Sequence, residues 1–122
     1  MVPSDVRRKV LFIEDEADLR SAYGRYFESR YEMAFAGTGA EATPQLATFH
    51  PDVIVLDMRL PDTDGIDLLR QIRSDHPDLP VVITTAYTSV EPLVEVLGMG
   101  HSGYLVKPYG LDELAERIDA AR

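Results

Sequence analysis

The stretch Pro51-Asp52-Val53-Ile54-Val55-Leu56-Asp57-Met58-Arg59-Leu60-Pro61 constrains this chain most: an unbroken apolar run delivers one carboxylate and is then stopped by proline. Val53 to Leu56 show no polar alternation, the pattern of a strand covered on both faces inside a parallel sheet. Asp57 then falls at the carboxyl edge of that sheet, where open α/β folds bind their ligands. An aspartate ahead of a loop also commonly caps a turn. A second acidic strand end favours the ligand-binding reading: Lys9 to Ile13 is a short run rich in branched residues, closed abruptly by Glu14-Asp15-Glu16.

Between and beyond these runs the periods alternate. Leu19, Ala22, Tyr23, Tyr26 and Phe27 recur at helical spacing and predict a helix from Glu16 to Arg30 with one apolar face. Tyr31 to Ala36 reads as a less hydrophobic strand, hence an edge, with Gly37 and Gly39 marking the turn after it. Ala42, Leu46 and Phe49 make a second helical face. Pro44 cannot donate its backbone hydrogen bond, which suits Thr43 as N-cap and Pro44 at the first helical position.

A third helix lined by Ile66, Leu69 and Ile72 begins near Asp64 and ends before Pro77. Val81 to Thr85 repeats the doubly covered pattern. Ser89 can cap a helix carrying Val90, Leu93, Val94 and Leu97, which stops at Gly98. Gly103 to Lys107 is a fifth strand, and Leu111, Leu114, Ala115 and Ile118 define a closing amphipathic helix. Five strands alternating with five helices argue for an α/β fold, a parallel sheet with helices on both faces. The first and third strands are the most apolar and both end in acids. They belong side by side at the centre, so that their acids converge.

At 122 residues the chain suits a single domain over 9–122 with an N-terminal tail over 1–8. Its 12 basic against 21 acidic side chains, a net charge of -9, oppose broad contact with nucleic acid or an anionic membrane. The absence of cysteine excludes disulfides, thiolate zinc sites and cysteine nucleophiles, and fits a reducing cytoplasm. Arg7-Arg8-Lys9 precedes only Val10 to Ile13, too short for a signal-peptide core or a membrane span.

Glu14, Asp15 and Asp57 at one sheet edge repel one another, which raises pKa values or calls for a cation. A hard divalent ion is the economical answer; magnesium, for one, favours a few carboxylates, a backbone carbonyl and several waters, and such an ion also holds phosphate oxygens. Lys107 and Thr85 end two further strands at that edge and offer a point charge and a hydroxyl to such oxygens.

In the acid pair Glu14-Asp15, in Asp57 followed by Pro61 and Gly65, in Thr85-Ala86 and in Tyr104-Leu105-Val106-Lys107-Pro108, the chain resembles the receiver domain of two-component response regulators, the chemotaxis-receiver family. The resemblance covers Lys9 to the end. It implies a flavodoxin-like, doubly wound (βα)5 fold with strand order 2-1-3-4-5. It also implies that Asp57 accepts a phosphoryl group from a phosphohistidine. Asp15, Asp57 and the main-chain carbonyl of Arg59 then bind Mg2+, and Glu14 helps through the metal's waters. Lys107 pairs with the phosphate; Thr85, followed by Ala86, hydrogen-bonds it, and Tyr104 turns inward behind it. Pro108 follows the lysine through a cis bond.

The partners implied are a sensor histidine kinase or histidine phosphotransfer protein, and an effector that reads the fourth helix, fifth strand and fifth helix. A phosphorylation-dependent homodimer is compatible with such a surface. Such a domain is a signalling module that takes phosphate from donors with magnesium and hydrolyses it, and is no enzyme in the metabolic sense. Arg59 and Tyr87, each two positions beyond a site residue, overhang the phosphate and modulate its lifetime. The chain departs from the family in Met99-Gly100-His101-Ser102-Gly103, where a small residue and an aspartate are common before the aromatic, and in Glu14, one methylene longer than the usual aspartate.

Other readings fare worse. A flavodoxin-like cofactor carrier needs a hydroxyl- and glycine-rich phosphate loop after the first strand, where this chain has three acids. An aspartate phosphatase commonly places a second aspartate where Arg59 stands. Asp62-Thr63-Asp64-Gly65 is reminiscent of a calcium loop, yet Leu60 and Gln71 occupy its first and last ligand positions. His50, His76 and His101 are scattered. The serious alternative is a receiver fold that works as an interaction module without phosphate, against which the intact set of Asp57, Thr85 and Lys107 argues.

Overall fold

The computed structural model describes residues 7–86 and 103–121. Its elements run β1 (Arg8–Ile13), α1 (Ala17–Tyr26), β2 (Tyr31–Ala36), α2 (Gly39–Phe49), β3 (Val53–Asp57), α3 (Gly65–Asp75), β4 (Val81–Thr85), β5 (Gly103–Val106) and α4 (Leu111–Ala120). All four strand pairings are parallel, in the order β2-β1-β3-β4-β5. The helix expected over Ser89 to Leu97 lies outside the described residues, as do Tyr87 and His101.

The pleat explains why the central strands show no polar alternation: each face has its own helix layer to bury against. Leu11, Ile13, Ile54, Leu56, Val81 and Ile83 point to one face and pack with Ala42 and Leu46 of α2 and Leu68, Leu69 and Ile72 of α3. Their neighbours Val10, Phe12, Val53, Val55 and Val82 point to the other and meet Tyr23 of α1, Phe27 at its C-cap, and Leu114, Ala115 and Ile118 of α4. Every residue of β3 and β4 is buried. Two sided cores hold the sheet rigid, and the register Ile13 with Leu56 and Asp57 with Thr84 brings the strand ends to one level.

Some expectations require correction. α2 starts at Gly39 and is capped by Thr38, whose Oγ1 accepts the Glu41 N–H at 3.0 Å; Thr43 is not its cap. Pro44 therefore lies inside the helix, where its missing N–H removes one i to i−4 bond, while the Thr43 hydroxyl donates to the Gly39 carbonyl at 3.1 Å. The buried face of α1 centres on Tyr23 and is continued by the C-cap Phe27, so Tyr26, one helical step off that line, is half exposed and meets Phe27 edge-on. The same helix ends at Tyr26 rather than Arg30. β1 opens at Arg8, one residue inside the expected tail, and the Arg8 guanidinium donates to the carbonyls of Ile118 and Ala121 at the end of α4. β5 ends at Val106, which leaves Lys107 just beyond it.

Candidate functional site

Three strands deliver the site. Asp57 is the last residue of β3, Glu14 follows the last residue of β1, and Lys107 follows the last residue of β5. Glu14 and Asp57 are nearly buried, at 2% and 3% exposure, which an acid tolerates only with partners. Lys107 is that partner for both: its ammonium lies 2.9 Å from Glu14 Oε1 and 3.2 Å from Asp57 Oδ2, with Glu16 Oε1 at 3.6 Å. The backbone fixes the lysine's root, since Lys107 N–H donates to the Thr85 carbonyl at 2.7 Å, and the Lys107–Pro108 bond is cis.

The acidic turn is held just as firmly. Glu14 N–H donates to the Ala36 carbonyl at 2.9 Å, and Arg20 of α1 donates to the Glu14 carbonyl at 2.7 Å. Glu14 Oε2 accepts the Glu16 N–H at 3.1 Å. Its Oε1 lies against the Lys107 ammonium at 2.9 Å and makes no further contact with a protein donor, so this buried carboxylate oxygen relies on the ion pair alone. On the other side, Asp57 Oδ1 accepts the Arg59 N–H at 3.0 Å, and the Met58 carbonyl accepts the Gly65 N–H at 3.0 Å. A Cβ on Gly65 would lie 2.4 Å from Met58 Cα, so the close return of this loop requires glycine there.

Burial, and then the neighbouring Asp57 carboxylate, push the Glu14 carboxyl up to about 7 despite the opposing pull of Lys107. Burial alone would ease the proton off Lys107; the Glu14 and Asp57 carboxylates outweigh it and hold the ammonium above its ordinary pKa. Among the described residues Lys107 faces Glu14, Glu16 and Asp57 together, so acids outnumber the cations around it. Carboxylate oxygens of Glu14, Asp15 and Asp57 lie within 4.8 Å of one another and form a group that could hold a metal ion. An open cavity of about 350 Å³, lined by Asp15, Glu16, Asp57, Arg59, Leu60, Pro61, Ala86 and Lys107, gives access to it. The all-oxygen donor set and its excess of carboxylates fit a hard divalent cation.

Of the remaining residues singled out in the sequence, Thr85 ends β4 buried, Ala86 lines the cavity, and Tyr104 lies half-buried against the α2 and α3 side of the core. The fold brings together Glu14, Asp15, Asp57, Arg59, Thr85, Ala86 and Lys107; Tyr87 lies outside the described residues. Asp62 and Asp64 do not make a calcium loop: Asp64 caps α3 through Ile66 N–H at 2.9 Å, and Asp62 accepts from α2. Sequence reasoning missed Glu16 and Arg20, although the triple acid and the arginine at helical distance from it were visible. It also missed the hydroxyl pair of Tyr23 and Tyr109, in which burial raises the pKa of both phenols.

A parallel five-stranded sheet with this acid cluster and lysine at its carboxyl edge defines a class of signalling domain. Residues 10–119 match the family described as response regulator receiver domain, and the chain belongs to it. It is thus a receiver domain of two-component, phosphorelay signalling. Among relatives, it is 38% identical over 107 residues to the regulatory protein AtoC of Escherichia coli, covering 87% of this chain and 23% of that protein. It is 37% identical over 113 residues to the response regulator MprA of Mycobacterium leprae, covering 92% of this chain and 50% of that protein. The chain therefore spans from 23% to 50% of the length of these relatives. A response regulator receiver protein from Pseudomonas putida superposes with a TM-score of 0.87 at 30% identity, covering 93% of this chain and 97% of that one. Among the described residues no helix is long and apolar enough to cross a membrane.

Proposed function

We propose that this receiver domain accepts a phosphoryl group on Asp57 from a phosphohistidine, binds Mg2+ for that step, and passes the change to a partner-binding surface. The observation that carries this reading is the convergence of a nearly buried Asp57 with Glu14, Asp15 and Lys107 on an open cavity at the sheet's carboxyl edge. The Asp57 carboxylate attacks phosphorus in line; the P–N bond to the donor histidine breaks, and the imidazole leaves with the bonding pair and takes up a proton. Such a transfer demands positioning and charge neutralisation more than covalent assistance.

Asp15, Asp57 and the Arg59 carbonyl are the residues that would hold magnesium, with Glu14 acting through its waters. When bound, the ion neutralises charge on the phosphoryl oxygens. Lys107 exchanges its contact with Asp57 Oδ2 for a phosphoryl oxygen. The Thr85 hydroxyl would hydrogen-bond the same group, with Ala86 beside it in the cavity lining, and Tyr104 would fill the space that Thr85 leaves. Water later reaches phosphorus on the side away from Asp57, past Arg59, and returns the domain to its resting state. The donor is a sensor histidine kinase or histidine phosphotransfer protein in the cytoplasm. The output is an effector domain or protein, or a second copy of the domain, that reads the surface containing β5 and α4.

Exposure to a small phosphodonor with magnesium, followed by intact-mass measurement, tests the reading. A phosphate-sized adduct lost in Asp57→Asn is the expected result. A wild type that stays unmodified would overturn it in favour of an interaction module that works without phosphate.

A further inference from the structure

The segment between β3 and α3 is a closed loop with three tethers. Two are internal: Gly65 N–H donates to the Met58 carbonyl at 3.0 Å, and Arg59 bridges to Asp64 in antiparallel fashion. The third crosses the molecule. Asp62 Oδ1 accepts the N–H of Gly39 at 2.8 Å and Oδ2 accepts the N–H of Ala40 at 2.9 Å, so that one carboxylate binds the first two residues of α2. These charge-assisted bonds hold the Asp62 carboxyl below its ordinary pKa.

α2 has a cap of its own. Thr38 takes the Glu41 N–H on its hydroxyl at 3.0 Å and the Ala42 N–H on its carbonyl at 3.1 Å. Asp62 completes the first turn from the far side of a loop crossing, and the approach is close: a Cβ on Gly39 would stand 2.7 Å from Thr63 Cγ2. Position 39 thus lacks a side chain where the loop lies against the helix. Arg59 is three residues from Asp62, and its N–H is bound to Asp57 Oδ1 at 3.0 Å, so the residue proposed to offer a carbonyl to magnesium stands between the site and this tether.

We propose that Asp62 is a positioning residue for the magnesium site: by fixing the β3 to α3 loop on the first turn of α2, it holds the Arg59 carbonyl where the ion meets it. The inference rests on the reading of that carbonyl as a ligand. It makes α2 and the metal site two ends of one linkage, and linkage is reciprocal. Magnesium binding should therefore tighten the Asp62 bonds as the bonds tighten magnesium binding. A purely structural role, a second cap on α2, would affect stability alone.

Magnesium titration of the whole chain by calorimetry, with amide exchange read by NMR, separates the two. Asp62→Ala should weaken magnesium binding by roughly three- to tenfold, short of the roughly 10- to 100-fold seen where a group orients a ligand directly. Asp62→Asn should fall between, because its single amide oxygen cannot accept both bonds in this geometry. Thr38→Ala should lower the melting temperature and leave magnesium affinity as in the wild type. In the wild type, magnesium should slow exchange at the Gly39 and Ala40 amides. Unchanged affinity in both Asp62 variants, or an equal loss in Thr38→Ala, overturns the proposal while leaving the metal site standing. A wild type that binds no magnesium overturns the metal site itself, and the proposal with it.

Discussion

Lys107 stands closer to Glu14 than to Asp57, at 2.9 Å against 3.2 Å, and so the resting domain shares the Lys107 ammonium between its two buried acids. Glu14 thereby keeps the ammonium within reach of the cavity while Asp57 keeps Oδ1 on the Arg59 amide. Removing the cation leaves two nearly buried carboxylates facing each other. Lys107→Met, which keeps most of the stem volume, should destabilise the metal-free protein at neutral pH by about 2–4 kcal/mol, toward the range for breaking a buried pair. Urea unfolding at pH 5 and pH 7.5 checks this. The loss should be smaller at pH 5, where Glu14 takes up a proton; equal losses would mean that packing, not charge, is responsible.

The raised Glu14 pKa makes a separate prediction for the intact chain. Its folded value of about 7 lies above the ordinary 4.5, so the folded state binds the proton more tightly than the unfolded one. The associated stability is fully present below pH 4.5 and is lost as pH rises through 7. With metal chelated, the Glu14 contribution should therefore fall between pH 5 and pH 7 and level off above, and Glu14→Gln should flatten the curve over that window. Denaturant midpoints measured across the window, wild type beside variant, decide it. Parallel curves would show that Glu14 does not titrate there.

Much of this was legible in the sequence because doubly covered strands have no other explanation for their missing polar alternation. Val53 to Leu56 and Val10 to Ile13 could only be central, and their acids had to meet. The start of α2 was misjudged for an instructive reason. Pro44 suits a first helical turn by its missing N–H, but the Thr38 and Glu41 spacing, a capping pattern, marks the actual start. The tertiary tether from Asp62 then holds a helix that tolerates an internal proline. Pairings across the fold had no local signal: nothing near Tyr23 announces Tyr109, and the preference of Lys107 for Glu14 depends on distances that only the assembled sheet sets.

Metal should stabilise the site because it answers the excess of acid. Magnesium in excess should raise the melting temperature by mass action, about 2.7 kcal/mol of added stability at a hundred times its dissociation constant. Asp15→Asn removes one carboxylate of the group within 4.8 Å and should reduce that rise by more than half at fixed magnesium. Thermal melts with and without magnesium supply the comparison. Equal rises in wild type and variant would place the ion elsewhere.

The same substitution at two glycines should have opposite signs. Gly24 lies within α1, and a Cβ there would meet Phe35 Cζ at 3.7 Å, an ordinary contact. Gly24→Ala should therefore stabilise by about 0.5–1 kcal/mol, the helix-propensity difference, and leave phosphorylation unchanged. At Gly65 the new Cβ would stand 2.4 Å from Met58 Cα and 2.7 Å from the Met58 carbonyl oxygen, and both are backbone atoms that cannot swing aside. Relief requires the start of α3 to move off the loop, which lengthens the Gly65 to Met58 hydrogen bond and shifts the residue adjoining Asp57. Gly65→Ala should cost about 2 kcal/mol or more, in the range of overpacking. A displacement of about 1 Å at reacting groups can lower a rate on the order of a hundredfold, so phosphorylation by a small donor should fall by at least tenfold even where the variant is fully folded. Circular dichroism confirms folding and intact-mass time courses give the rate; a folded Gly65→Ala that phosphorylates like wild type would show that the loop can yield without moving Asp57.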